Sequence, residues 1–198
     1  MNTIKVAIEA YILALLPNDP WGRSKQKETA KTSGQQLQAL ANGLAVPSFW
    51  SAAGINGTFA IANKIWSQAA IEFSPIQVSA RTEVVPADEN GMWIHFLNHL
   101  RPKAGIAVGF VYDLPSDEGG WGGGRIAVIA EKKAEGAIDG YLGSVLAHEL
   151  GHVLLNTPDH VKSEHNLMFA ERNRRKAYAD QLEPEQIKDA RERAQTLQ

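Results

Sequence analysis

The sequence has no cysteine among its 198 residues. This absence excludes disulfide bonds, thiolate metal ligands and a cysteine nucleophile. The sequence also has no large excess of charge of either sign, because 20 lysine and arginine residues nearly balance 22 aspartate and glutamate residues. We therefore expect neither a nucleic acid nor a membrane as a partner. No uninterrupted apolar run approaches the roughly 20 residues that a membrane-spanning helix needs.

No clear signal peptide is present at the N-terminus. The apolar stretch Ile4–Leu16 is interrupted by Lys5 and Glu9, and no small-residue cleavage site follows it. We therefore interpret Lys5–Leu16 as a strand, or a short helix, that ends at Pro17. The localisation is left open between the cytoplasm and secretion by another route.

Apolar residues make up 44% of the chain, which is enough for a buried core. The length fits a single domain over residues 1–198, with Asn18–Gly34 as a mobile polar loop or a helix of weak propensity. Residues 91–100 fit either a helix or a strand, and the five-glycine segment Leu114–Gly124 is predicted as a loop. The mixture of elements without a strict strand–helix alternation indicates an α+β fold. The other predicted elements are helices at 57–73, 141–155 and 184–195 and strands at 76–85, 105–113 and 125–131.

The strongest chemical signal is the run His148-Glu149-Leu150-Gly151-His152. Residues four apart on a helix lie on one face, so both imidazole rings can reach a single ion. Glu149 is adjacent and can accept a proton from a metal-bound water. The helix around these residues is apolar almost all round, which predicts that it is buried. Buried histidines need partners, and a zinc ion would supply them.

A catalytic zinc site needs a third protein ligand and an open fourth position for water. Asp159, His160, Glu164 and His165 all follow the second histidine closely, and each has a side chain that binds zinc. The residue types alone do not choose among these four.

The segment from His148 to Met168 resembles the metzincin clan of zinc endopeptidases. The longer motif of that clan is HExxHxxGxxH followed by a methionine turn. Here Leu155 stands at the position of the glycine and Pro158 at the position of the third histidine. His160, however, precedes Met168 by eight residues, which is similar to the spacing in short metzincins such as the matrix metalloproteinases.

The resemblance implies a two-residue insertion before the third ligand. Asn156 would then end the helix in place of glycine, because asparagine tolerates a left-handed backbone conformation. His160 would be the third zinc ligand, with Asp159 and His165 as alternatives. Met168 would form the methionine turn, an apolar floor beneath the metal. Ala170 occupies the position at which some metzincins carry a tyrosine near the metal, so that tyrosine is absent here.

The resemblance also implies an architecture and an activity. A metzincin-like fold has a twisted mixed β-sheet, an active-site helix and a C-terminal helix, with zinc in a cleft between two lobes. The strand Arg125–Glu131 or its neighbour would be the edge strand above the cleft, with Trp121 near the cleft mouth. A peptide or protein substrate would bind there as an added strand. The activity would be that of a zinc-dependent endopeptidase, with Glu149 as the general base.

Two other interpretations are compatible with the sequence. A non-proteolytic peptide-binding protein on the same fold, with a structural or absent metal, would fit the altered spacing after His152. The presence of Glu149 argues against it, because a purely structural metal site has no use for that carboxylate. The other interpretation keeps the zinc chemistry and places the enzyme in a delivery context, as a toxin or effector.

Overall fold

The structure, a computed structural model, describes residues 1–17, 50–85, 89–111, 114, 119–131, 139–170 and 180–198. The predicted loop Asn18–Gly34 lies outside these ranges. None of the helices within them has both the length and the apolar composition to span a membrane. The elements in chain order are β1 (Ile4–Pro17), α1 (Ala52–Trp66), a 3-10 turn (Ser67–Ala69), β2 (Ile71–Val85), α2 (Glu89–His99), β3 (Ile106–Val111), β4 (Gly120–Gly123), β5 (Ile126–Ala130), α3 (Tyr141–Leu155) and α4 (Pro184–Thr196).

The strands within these ranges form one mixed sheet of five strands in the order β2-β1-β3-β5-β4. Four of them run parallel, and β4 pairs antiparallel with β5 at one edge. Parallel neighbours require a crossover connection, and α1 and α2 lie in the connections from β1 to β2 and from β2 to β3. The mixed sheet is therefore confirmed, but strands and helices alternate more regularly than the α+β prediction assumed.

Helices cover the sheet on both faces. One core cluster contains Phe59 of α1 and Leu146 of α3 together with Phe110 of β3. A second cluster packs Phe96 of α2 against Val128 of β5. All residues of β3 and β5 are buried, which explains why both strands are continuous apolar runs in the sequence rather than alternating ones.

The first predicted helix, 57–73, was placed too far along the chain. Ser51 caps α1 by accepting a hydrogen bond from the Gly54 backbone N–H at 3.0 Å, and Ala70 in a left-handed conformation turns the chain into β2. The apolar spacing that continues to Phe73 belongs to β2, where Ile71 and Phe73 are buried on one face.

Pro75 was expected to separate helix from strand, yet it lies within β2. It falls where the pairing with β1 shifts register between Val6 and Ile8. Because β2 is an edge strand, the missing N–H of proline does not break a central ladder.

The other helix predictions agree with the structure. The helix 141–155 is confirmed in both limits, and the helix 184–195 is confirmed with its end at Thr196. Pro184 occupies the first turn of α4, next to a capping box formed by Glu183 and Gln186. The ambiguous stretch 91–100 is helical, as α2.

The glycine-rich segment Leu114–Gly124 was wrongly predicted as a loop throughout. Gly120–Gly123 form β4, the edge strand, so the edge is the neighbour of Arg125–Glu131 and not that strand itself. The side chain of Trp121, which was expected near the mouth of a cleft, is buried in the cluster of α2, and its ring lies 5.9 Å from that of Trp93.

Candidate metal centre

Helix α3 carries the two spaced histidines in a buried position. His148, Glu149 and His152 are all less than a tenth exposed, as the apolar surroundings predicted. Trp66 holds the helix from α1, because its indole Nε1 donates to the carbonyl oxygen of Ala147 at 3.0 Å, next to the first histidine. Asn156 ends the helix with φ at 50° and ψ at 41°, so the predicted left-handed cap is confirmed.

The ring nitrogens of His148, His152 and His160 converge on one point. The Nε2 atoms of His148 and His152 are 3.1 Å apart, and those of His148 and His160 are 3.2 Å apart. Two imidazole nitrogens bound at about 2.0–2.1 Å to a tetrahedral ion would lie about 3.3 Å apart. These distances therefore fit three ligands of one ion. Among the described residues, this is the group of side chains that can hold a metal.

The hydrogen bonds of two of these rings fix which nitrogen carries the proton. Nδ1 of His148 lies 2.7 Å from the carbonyl oxygen of Leu167, and Nδ1 of His152 lies 2.8 Å from that of Thr157. A carbonyl oxygen only accepts, so both Nδ1 atoms donate and the Nε2 atoms of the neutral rings carry lone pairs.

Two lone pairs 3.1 Å apart repel each other unless a positive charge lies between them. A proton can bridge two nitrogens but not three, whereas a metal ion can bind all three at once. The Nδ1–H donation to a carbonyl oxygen is also the arrangement that orients metal-ligating histidines. The chemistry of this donor set therefore fits a zinc ion.

His160 reaches the cluster through a short ordered segment. After the cap at Asn156, the Thr157 hydroxyl donates to the Asp159 carboxylate at 3.1 Å and accepts from the Asp159 backbone N–H at 3.1 Å. Beyond His160, the Val161 backbone N–H donates to the Met168 carbonyl oxygen at 3.0 Å. These bonds shape the segment after Asn156 into a turn that returns His160 to α3.

The alternative third ligands lie elsewhere. Asp159 is exposed, and its carboxylate accepts from Thr157. His165 and Glu164 are exposed too, and none of these three belongs to the metal-type cluster found among the described residues. The rings of His148 and His160 are nearly parallel at 17°, while the His152 ring stands at 89° and 87° to them.

Met168 lies directly beneath the helix that carries the histidines. It is 1% exposed, and a Cβ added at Gly151 would come within 2.4 Å of its Sδ. Gly151 stands between the two ligand positions of α3, so the absence of a side chain there makes room for the methionine. The methionine thus packs against α3 at the level of the cluster.

Strand β4 lies against Glu149 on α3. A Cβ at Gly122 would come within 2.1 Å of the Glu149 carbonyl oxygen, and one at Gly120 within 2.9 Å of the Glu149 Cγ. Only glycine permits so close an approach of strand and helix. The buried carboxylate-bearing side chain therefore runs directly under the edge strand.

The pairing of β4 with β5 determines which of its backbone groups point outward. The Ala130 N–H donates to the Gly119 carbonyl oxygen at 2.9 Å, so this pair is hydrogen-bonded, as is every second pair along the antiparallel ladder. Gly120 and Gly122 fall in the alternate pairs. Their N–H and C=O groups therefore point to the side of β4 opposite β5, where no other strand of the described residues is paired.

Several residues that build this centre were not predicted from the sequence. The carbonyl groups of Thr157 and Leu167 and the indole of Trp66 act through contacts that residue spacing does not reveal. The glycines of β4 gave a visible signal, but it was interpreted as loop flexibility. Three glycines around one tryptophan are also what a strand needs when it packs on a helix backbone.

Comparisons with known proteins give a limited result. None of the protein-family models searched matches the chain, and no curated protein matches it significantly. Among solved structures, archaemetzincin from Methanopyrus kandleri is similar, with a TM-score of 0.44 and 14% sequence identity over 98% of this chain and 96% of that one. This is a broad likeness of fold, and fold alone does not determine function.

Proposed function

We propose that the protein is a zinc-dependent endopeptidase. The observation that carries the proposal is the convergence of three imidazole Nε2 atoms, with 3.1 and 3.2 Å between them, while two of the rings donate from Nδ1 to carbonyl oxygens. His148, His152 and His160 would hold the zinc ion. Bound zinc would supply a Lewis acid that polarises a peptide carbonyl and lowers the pKa of a water molecule toward about 7.

Glu149 acts as the general base in this proposal. It follows the first ligand on α3, and its buried side chain lies beneath Gly120 of β4. Its carboxylate takes a proton from the attacking water and passes that proton to the leaving amine. His160 is exposed while the other two histidines are buried, so the centre faces solvent on the side of His160. Substrate would enter from that side.

The peptide substrate would bind along β4 as an added strand. The outward N–H and C=O groups of Gly120 and Gly122 offer hydrogen bonds to an extended backbone, whatever its sequence. The same two glycines pack on Glu149, so a peptide paired with them would pass close to the general base. The methionine-turn role of Met168 belongs to the same proposal, as the apolar support of α3 under the histidines.

The proposal is tested by zinc content and peptide cleavage in the wild type and Glu149→Gln. The wild type should retain about one zinc per chain after dialysis against metal-free buffer and should cleave a fluorescence-quenched peptide library. Glu149→Gln keeps the ligands, so it should retain zinc while cleavage falls by about 10²–10⁴-fold. A wild type that holds no zinc would contradict the metal centre. A variant that cleaves normally would contradict the role of Glu149.

The same experiment distinguishes the endopeptidase from the alternative, a non-proteolytic peptide-binding protein. That protein would bind peptides along β4 without cleaving them, in the wild type and in Glu149→Gln alike. Uncleaved peptide bound equally by both proteins would favour the alternative.

A further inference from the structure

The turn that carries Met168 is held by a buried amide, that of Asn166. This residue is 3% exposed. Its Oδ1 accepts from the Met168 backbone N–H at 2.9 Å, and its Nδ2 donates to the Gln186 Oε1 at 2.8 Å. The Gln186 Nε2 also donates to the Asn166 Oδ1, at 3.3 Å. Because a backbone N–H can only donate, the orientation of the amide is fixed by its partners.

Leu167 connects this amide to the first metal-ligand position. It lies between Asn166 and Met168, and its carbonyl oxygen accepts from His148 Nδ1 at 2.7 Å. Its N–H donates to the Gln181 carbonyl oxygen at 2.7 Å. The backbone N–H groups of Leu167 and Met168 are both hydrogen-bonded, which fixes the direction of the Leu167 carbonyl. That carbonyl in turn determines the tautomer and the direction of the His148 ring.

Gln186 connects the same amide to the C-terminal helix. It occupies the third position of α4, where its Oε1 accepts from the Glu183 backbone N–H at 2.9 Å as part of the capping box. One side-chain oxygen thus accepts both from the start of α4 and from Asn166. A continuous chain of hydrogen bonds runs from the first turn of α4 through Asn166 and the Leu167–Met168 turn to His148.

We propose that Asn166 and Gln186 are positioning residues of the metal centre, through which α4 sets how well His148 binds the ion. The inference rests on the proposed function in taking the three histidines as zinc ligands. It makes a separate claim, which is that a helix without any ligand controls metal affinity. Loss of a residue that orients a metal-ligating histidine typically costs 10–100-fold in affinity, so we expect about tenfold for these more remote groups.

The test measures the zinc dissociation constant by competition with a chromogenic chelator and the Tm of the zinc-free protein. Asn166→Ala and Gln186→Ala should each weaken zinc binding, by about tenfold for Asn166→Ala and by less for Gln186→Ala. Gln186→Glu keeps the oxygen that accepts from Asn166 and Glu183 and loses the longer bond of 3.3 Å to the Asn166 Oδ1, so its zinc affinity should lie closer to that of the wild type than to that of Gln186→Ala. The visible spectrum of the cobalt-loaded protein should change more in the two alanine variants than in Gln186→Glu.

Arg191→Met is the matched control on the same helix. The Arg191 guanidinium donates to the carbonyl oxygens of Ala69 and Asn2, at 2.6 and 3.2 Å, and these contacts do not reach the turn. This variant should lower the Tm and leave the zinc affinity unchanged.

The inference would be overturned if Asn166→Ala and Gln186→Ala bound zinc as tightly as the wild type. It would also be overturned if the loss of zinc affinity were proportional to the loss of Tm in all variants, Arg191→Met included. If Asn166→Ala does not fold, the inference is tested by comparing the zinc affinities of Gln186→Ala and Gln186→Glu. A wild type without zinc would instead refute the proposed function, and the inference with it. Normal zinc and cleavage in the wild type with unaffected variants would refute the inference alone.

Discussion

The histidine cluster and strand β4 both adjoin Glu149, but they are built in different ways. The cluster depends on side-chain atoms, with three Nε2 atoms brought together and two rings oriented by carbonyl groups. Strand β4 contributes backbone groups, and it lies close to α3 because Gly120 and Gly122 have no side chains. Substitutions that remove side-chain atoms should therefore disrupt the cluster, whereas substitutions that add a side chain should displace the strand. The predictions below include substitutions of both kinds.

The largest effect is expected from His160→Ala. It removes one of the three converging nitrogens, so zinc affinity should fall by more than the roughly 10–100-fold typical of losing a residue that only orients a ligand. The measurement is chelator competition. His165→Ala and Asp159→Ala are the controls, since neither side chain lies in the cluster, and both should bind zinc like the wild type. Loss of zinc in either control together with retention in His160→Ala would reverse the ligand assignment.

An intermediate effect is expected from Gly122→Ala, which adds a single methyl group. Its Cβ would meet the Glu149 backbone at 2.1 Å, so β4 has to move away from α3. Overpacking of this kind costs about 1–3 kcal/mol of stability, and the displaced strand should also lower peptide cleavage. Zinc affinity should be retained, because no ligand is touched. Tm, zinc content and cleavage rate measure the three effects.

Gly123→Ala is the matched control for this substitution. It lies on the same strand, but its Cβ would face Trp93 at 3.4 Å, which is an ordinary contact. Stability and cleavage should therefore stay close to the wild-type values. Equal damage in both variants would mean that the approach of β4 to Glu149 is not what matters.

The contrast also explains how much of the site could be predicted. The spacing of His148 and His152, and the helix that carries them, follow from local residue types and a helical period. Asn156 was predictable for the same reason, since its left-handed conformation is a property of one residue. His160 was placed by resemblance, and the structure brings it to the cluster.

What could not be predicted depends on contacts between distant segments. The Leu167 carbonyl lies nineteen residues from His148, and Trp66 reaches α3 across 81 residues. The residue type does not indicate the direction in which a backbone carbonyl points. In β4 the relevant feature is the absence of side chains, and a run of glycines by itself predicts a turn at least as readily as a packed strand. The order of the strands in the sheet was not predicted either, because strand pairing joins segments that are far apart in the chain.

The smallest effect is expected at the end of β5, beside the edge strand. Glu131 is partly buried, and its Oε2 has no hydrogen-bond partner among the described residues. Burial raises the pKa of Glu131 from 4.5 to about 7. Between these two values the folded protein holds a proton that the unfolded chain has released, so stability falls as the pH rises from about 4.5 to 7.

The glutamine side chain in Glu131→Gln cannot ionise, so the stability of this variant should not show the fall between pH 4.5 and about 7 that Glu131 causes in the wild type. It should match the wild type near pH 4 and be more stable above pH 7. The expected gain is about 1 kcal/mol, since solvent screening reduces the cost of the charge, and it would raise the Tm by roughly 2–4 °C. Thermal unfolding of both proteins across this pH range measures the effect. Parallel curves for the two proteins would mean that the Glu131 carboxylate is as well solvated in the folded protein as in the unfolded chain.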